Sequence, residues 1–288
     1  MPELPEVETI AKQLRKVIVG KEIEDIQILR EKSFGGDSKS LLGKKVTGVF
    51  RRAKVLGFEV GEEKRVIVHL KMTGQLIWRP KDWSSKNRSY EIVGGHPSED
   101  WVGNLPSKHT RVIWTFGDGS KLFFNDMRVF GWMKVLTSDE LDKLFEKSPP
   151  DVIDEDFTLE YFESATRNVN RPIKIVIMDT AKMGGVGNIY ANDALWESQI
   201  LPSKKAKDLD AGESERLYQA IKDVIKLGIK HGGATSANYV NLDGLGGSYQ
   251  DHFRVYKRDG EKCFRCGEKI VKNKVGGRGT FWCPVCQK

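Results

Sequence analysis

The chain's cysteines are Cys263, Cys266, Cys283 and Cys286, spaced Cys-x2-Cys-x16-Cys-x2-Cys, and all four fall within the last thirty residues. Cysteines that staple a secreted domain are spread through it, so this clustering points to a metal ion held in a reducing compartment. Each Cys-x2-Cys puts two thiolates on one tight turn, and two such turns complete a tetrahedron around one Zn2+. A shell closed by four thiolates leaves no position for a reacting water. The metal is therefore expected to be structural and to fold a β-hairpin between its two knuckles.

A chain of 288 residues is long enough for two domains with separate cores. Lys and Arg number 47 against 40 Asp and Glu, a formal charge of +7 that favours a polyanionic partner such as nucleic acid or an anionic membrane. There is no run of eighteen apolar residues and no basic-then-apolar signal pattern at the start, so no membrane association and a cytoplasmic location are expected.

Two patterns divide the chain. Between about residues 23 and 136, short β-type runs follow one another, among them Ile26-Gln27-Ile28-Leu29, Val66-Ile67-Val68-His69-Leu70 and Arg111-Val112-Ile113-Trp114. Gly117-Asp118-Gly119 is a hairpin signal between two of them. Successive strands with turn signals imply an antiparallel sandwich or barrel. The charged stretch 139–147 and Pro149-Pro150 read as a boundary, after which the apolar spacing turns helical: 157–165, then 173–180 behind Pro172, then an amphipathic helix with Leu217, Ile221, Val224 and Ile225. The expected division is 1–137 (β domain), 138–153 (linker), 154–252 (helical domain) and 253–288 (zinc finger). Behind Gly184-Gly185-Val186-Gly187 a helix opens near Asn188, and its unpaired backbone N–H groups suit a phosphate. A plain helix hairpin is the ordinary reading of such a turn taken alone.

The first residues carry a nucleophile. Once Met1 is removed, the ring nitrogen of Pro2 is a secondary amine, and an α-amino group titrating at about 7.7–8.0 is partly neutral in the cell. The apolar residues Val7, Ile10, Leu14, Val17 and Ile18 predict a helix over 6–19, whose positive end disfavours the ammonium form further. Glu3 and Glu6 add carboxylates able to move protons during imine chemistry. Ordinary N-terminal helix chemistry is the competing reading of these residues.

Taken with the last thirty residues, the opening run Pro2-Glu3-Leu4-Pro5-Glu6-Val7-Glu8-Thr9 resembles the formamidopyrimidine-DNA glycosylase family, bacterial repair enzymes for 8-oxoguanine, and further matches run along nearly the full length. The resemblance implies an α+β fold: an N-terminal antiparallel β-sandwich with an N-terminal helix, then a helix-two-turn-helix domain with a zinc-finger β-hairpin. It carries roles onto matching positions. Lys54, ending Arg51-Arg52-Ala53-Lys54, corresponds to a lysine at the lesion phosphates, where composition alone would read a solvated basic strand end. Met72, in His69-Leu70-Lys71-Met72-Thr73-Gly74, corresponds to a methionine filling the hole left by an extruded base, where a core methionine is the commoner case. Arg128 and Phe130, in Asn125-Asp126-Met127-Arg128-Val129-Phe130-Gly131, correspond to side chains pushed into the duplex, and His109 to a phosphate contact. Asn188, and Arg171 or Asn170, add phosphate contacts in the helical part. Arg278, in Gly276-Gly277-Arg278-Gly279-Thr280, corresponds to an arginine at the phosphates flanking the lesion that assists the last elimination.

The implied activity is that of a bifunctional DNA glycosylase and abasic-site lyase, excising 8-oxoguanine and formamidopyrimidines from duplex DNA in base excision repair. Pro2 forms a Schiff base with the sugar, Glu3 protonates the ring oxygen or base, and β,δ-elimination follows. The implied partner is damaged double-stranded DNA, with a monomer and no organic cofactor expected. Three departures stand out: a longer segment at 79–108, Asn192-Asp193 in the helical turn, and Thr235-Ser236-Ala237-Asn238 in place of Thr-Leu-Arg-Asp. The last keeps open an endonuclease VIII-like enzyme for oxidised pyrimidines, and a catalytically silent damaged-DNA-binding protein on the same scaffold is a second alternative.

Overall fold

The computed structural model describes residues 1–83, 105–234 and 247–288. They form two compact units, Met1–Lys147 with His231–Ser248, and Ser148–Lys230 with Tyr249–Lys288. The finger thus groups with the helices rather than standing by itself.

In the first unit, α1 (Leu4–Ile18) forms because Val7, Ile10, Ala11, Leu14 and Ile18 recur at helical spacing, and all of them are buried. Pro5 occupies its first turn, where a missing N–H costs nothing. The strands are β1 (Ile23–Ile28), β2 (Phe34–Gly35), β3 (Val46–Arg52), β4 (Val55–Val60), β5 (Lys64–His69), β6 (Gly74–Arg79), β7 (Thr110–Phe116), β8 (Lys121–Asp126) and β9 (Trp132–Thr137). They build a four-stranded sheet, β1-β7-β8-β6, and a five-stranded sheet, β2-β9-β5-β4-β3. Phe58 of β4 meets Trp114 of β7 edge-on at 5.9 Å, joining the sheets in one core that also takes in α1. The pairing is antiparallel except for β2 with β9, which is parallel. The two-residue β2 reaches the sheet edge through a short 3-10 turn (Glu31–Ser33), so no hairpin sets its direction.

The charged stretch expected as linker begins with a helix, α2 (Ser138–Glu146), and the division between the two units falls just after it, at Lys147 and Ser148. Thr137 and Glu140 cap it reciprocally: the Glu140 N–H donates to Thr137 Oγ1 (3.2 Å) and the Thr137 N–H to Glu140 Oε2 (2.8 Å). Leu141 and Phe145 then bury against Ile67, Leu136 and Phe50. The segment expected as an insertion joins β6 to β7, which lie on either side of β8; its residues 84–104 are outside the described residues.

The second unit contains α3 (Leu159–Thr166), α4 (Ile173–Ile177), α5 (Asn188–Glu197) and α6 (Ala211–Lys230), followed by a hairpin of β10 (Val271–Val275) and β11 (Arg278–Trp282). Helix α4 stops short of the expected 180. Asp179 Oδ1 takes the Ala181 N–H (3.0 Å), which offers the backbone a turn in place of further helix. Among the described residues no helix is long and apolar enough to cross a membrane.

Candidate active site and nucleic-acid interface

Arg15 donates to the Val49 carbonyl (2.6 Å) and Glu8 pairs with Arg51 (2.7 Å), so α1 runs against β3 with its N-terminal end toward the β3–β4 turn. That turn is Ala53-Lys54. Pro2 is half-buried and Glu3 buried at the helix start. Lys54 lies on the connection rather than within a strand, and at 7% exposure it is no solvated strand end.

Nearby, burial first, then the Lys71 and Lys54 cations, push His69 down to about 4 from 6.5. A neutral ring results, and its Nδ1 accepts the Lys71 N–H (3.0 Å). Because the unfolded chain binds this proton first, the contribution to stability is present above pH 6.5 and is lost as pH falls from 6.5 toward 4. The loss amounts to about 3 kcal/mol. His69→Gln is therefore expected to flatten the decline of unfolding free energy between pH 7 and 4.5; equal slopes in the two proteins would put the acid sensitivity elsewhere.

Glu6 holds two backbone groups. Its Oε2 accepts the Glu3 N–H and its Oε1 the Ala234 N–H, each at 2.7 Å. Ala234 bridges to Ser248, and Gly247 lies so close to the Gly233 carbonyl that a Cβ would sit 2.1 Å from its oxygen. The neck of this loop is thereby tied to the first turn of α1. Residues 235–246, including the altered Thr235-Ser236-Ala237-Asn238, lie outside the described residues.

A second constellation surrounds Asp126, a fully buried carboxylate at the end of β8. Oδ2 accepts the N–H groups of Phe130 (2.7 Å) and Gly131 (2.6 Å), while Oδ1 accepts from the Arg128 N–H (3.2 Å) and the Thr73 hydroxyl. One side chain therefore fixes two loops. They present Met72 and Phe130, 49% and 51% exposed, together with Arg128, whose guanidinium lies 4.7 Å from the Phe130 ring centroid and 3.6 Å from Met72 Sδ. Val129 between them has φ +55°, a costly conformation for a β-branched residue that the Asp126 bonds hold in place. An apolar pair beside a cation on an exposed, pinned loop suits insertion into a base stack. His109 adjoins this loop through its backbone: its carbonyl accepts the Asp126 N–H (2.9 Å). Asp126→Asn would aim an NH2 group at two backbone donors, and it is expected to lower the unfolding free energy by about 2–4 kcal/mol in urea titration. An unchanged value would remove the carboxylate from this role.

In the second unit, α5 begins at Asn188 behind Gly187, with no side chain capping its first turn. Asp193, fully buried one turn on, accepts the N–H groups of Arg254, Val255 and Tyr256 with Oδ1 (3.1–3.2 Å) and the Tyr249 hydroxyl with Oδ2 (3.0 Å). Burial pushes its carboxyl up to about 6 against the pull of those bonds. This residue, unusual by sequence, organises the chain leading into the finger. Arg171 is held by Asp179 (2.7 Å).

The four cysteine sulfurs lie within 4.8 Å of one another, with Cys263–Cys286 at 3.9 Å and Cys266–Cys283 at 3.4 Å. Zinc–sulfur bonds of about 2.3 Å in a tetrahedron require sulfurs about 3.8 Å apart, so the residues fit one zinc ion. Burial, then the neighbouring sulfurs, push the Cys286 thiol up to about 12, a cost that a cation among the sulfurs offsets. The Trp196 indole N–H donates to Cys263 Sγ (3.3 Å), joining the metal site to α5. Beyond the knuckles, Gly276 and Gly277 (φ +56° and +76°) make the two-residue turn of the hairpin, which leaves Arg278 exposed at its tip.

Residues 1–133 match the formamidopyrimidine-DNA glycosylase N-terminal domain, 149–239 its H2TH domain, and 260–288 the zinc finger found in FPG and IleRS. The formamidopyrimidine-DNA glycosylase of Pelotomaculum thermopropionicum is 35% identical over 100% of this chain and 99% of its own length. The chain belongs to the formamidopyrimidine-DNA glycosylase family. A mutant Lactococcus lactis FPG in complex with Fapy-dG-containing DNA is 33% identical with a TM-score of 0.86, covering 100% of both chains. The wild-type Lactococcus lactis Fpg in complex with oxidised-pyrimidine-containing DNA is 34% identical with a TM-score of 0.84, again over 100% of both. Within this family frame, sequence reasoning missed Asp126 and the two-sided use of Glu6. The Glu3–Glu6 spacing is a capping signal readable in the sequence, but the bond to Ala234 spans 228 positions and no local pattern announces it.

Proposed function

We propose that this chain is a bifunctional DNA glycosylase and abasic-site lyase of base excision repair, acting on oxidised purines in duplex DNA, with Pro2 as nucleophile. The observation that carries the reading is the pairing of Pro2 with a buried Glu3 at the open end of α1, on the side of the unit where the Lys54 turn lies. The neutral Pro2 nitrogen attacks C1′ of the damaged nucleotide, and the glycosidic bond breaks with the base taking a proton. Glu3 supplies the proton to O4′ as the sugar ring opens, leaving an iminium that acidifies C2′. Loss of the C2′ proton expels the 3′ phosphate, a second elimination expels the 5′ phosphate, and hydrolysis returns the amine.

Lys54 and His109 hold phosphates, Met72, Arg128 and Phe130 fill the space of the extruded base, Asn188 offers the α5 N-terminus to a phosphate, and Arg278 assists the final elimination. Arg171, paired with Asp179 but with its side chain 46% exposed, adds a further phosphate contact. Four cysteines hold one structural zinc, which supplies folding rather than chemistry. A monomer working in the cytoplasm on damaged double-stranded DNA completes the reading.

A second substrate class, oxidised pyrimidines, is favoured by the complex that a 34%-identical neighbour forms with such DNA. Borohydride trapping tests both. On Met1-free protein with 8-oxoguanine opposite cytosine, an adduct located on Pro2 by peptide mass spectrometry supports the purine reading. An adduct with an oxidised-pyrimidine duplex and none with 8-oxoguanine would select the second, and no adduct even on an abasic site would remove the lyase.

A further inference from the structure

A two-stranded hairpin is marginal by itself, and the zinc knuckles grip only the base of β10–β11. The tip carries Arg278, five residues from Cys283. Along the edge of β11 that faces away from β10, the Phe281 N–H and the Gly279 carbonyl point outward, where a third strand would pair with them. Two side chains from the helical part occupy that position. Asn192 of α5, fully buried, accepts the Phe281 N–H with Oδ1 (2.8 Å) and donates with Nδ2 to the Asn188 carbonyl (2.6 Å). An amide N–H faces one end of the carboxamide and a carbonyl the other, so its orientation is fixed by its partners. Lys174 of α4, also fully buried, donates with Nζ to the Gly279 carbonyl (2.7 Å) and to Thr280 Oγ1 (2.8 Å), and that hydroxyl donates to the Arg278 carbonyl (2.9 Å). At the turn itself, a Cβ on Gly276 would lie 2.5 Å from Ile175 Cδ1 of α4.

We propose that Asn192 and Lys174 are positioning residues for Arg278: together they stand in for a third strand along β11 and fix the finger tip against the two helices that flank the glycine turn. Zinc folds the base of the finger, and these two side chains aim its end. Asn192 adds a second coupling, since its other hydrogen bond ends on Asn188 in the first turn of α5. One carboxamide sets both the turn read as a phosphate site and the strand that follows Arg278. The inference rests on the role proposed for Arg278 in the final elimination, and the test separates the two.

Full-length, zinc-loaded Asn192→Ala, Lys174→Met, Arg278→Ala and the Asn192→Ala/Arg278→Ala double variant are compared. Zinc content is measured with amide exchange of the 276–281 peptide without DNA, and the ratio of δ- to β-elimination product is measured on an abasic duplex. Loss of one buried hydrogen bond of about 1 kcal/mol predicts roughly fivefold faster exchange in the peptide, with zinc retained at one per chain. The product ratio is expected to fall toward that of Arg278→Ala, and the double variant to be no worse than Arg278→Ala. Unchanged exchange in both Asn192→Ala and Lys174→Met overturns the clamp, whatever Arg278 does. Faster exchange with an unchanged product ratio, or additive losses in the double variant, overturns the positioning role. A normal ratio in Arg278→Ala itself overturns the role read for Arg278, and with it the assignment of the clamp to that residue.

Discussion

A chain that keeps Met1, or carries any residue ahead of Pro2, is expected to lose base excision and strand cleavage by roughly three orders of magnitude or more. In an amide the proline nitrogen shares its lone pair with the carbonyl and cannot attack a sugar carbon. Duplex binding should persist, because Met72, Arg128 and Phe130 are held by Asp126, which is independent of the terminus. The free amine must also be neutral to react. Single-turnover rates of the processed protein should accordingly rise with pH through the amine's titration, at or below about 7.7–8.0 given its place at a helix N-terminus. Full turnover by an N-terminally tagged chain would sink the amine mechanism.

Cys283→Ser is expected to release the metal and to disrupt more than the finger. Cys263 and Cys283 pack in one apolar cluster with Trp196, Val255, Ile270 and Phe281, and Trp196 belongs to α5. Losing a structural zinc whose binding is worth on the order of 10 kcal/mol leaves that cluster without its centre. The substituted protein should bind duplex DNA of every sequence at least about tenfold more weakly, with Trp196 contributing a red-shifted, more quenchable emission as its indole loses the sulfur and gains water. Full affinity in a metal-free Cys283→Ser protein would refute a docking role for the ribbon.

Much of the candidate site was legible because its chemistry is carried by residue type and spacing. Cys-x2-Cys pairs, a proline at position 2 followed by glutamate, and Gly-Gly before Arg278 each state their local geometry. The side chains that support the site were not legible. Asp126 reads as an ordinary acid after a strand, and only the folded loop shows it accepting bonds from Thr73, Arg128, Phe130 and Gly131. The helix over 138–146 was legible in principle, since the Thr137–Glu140 capping box and the Leu141–Phe145 spacing are both present in the sequence.

The sequence by itself determined the family, the four-cysteine zinc site and most of the elements, because periodicity, turn chemistry and ligand spacing act over a few residues. Tertiary structure alone decided which polar groups hold those elements in working positions. Glu6 meets Ala234 across 228 positions, Lys174 meets Thr280 across 106, and Asn192 meets Phe281 across 89. A buried donor or acceptor needs a partner wherever the chain can supply one. That partner is set by how the sheets and helices pack, not by what stands beside it in the sequence.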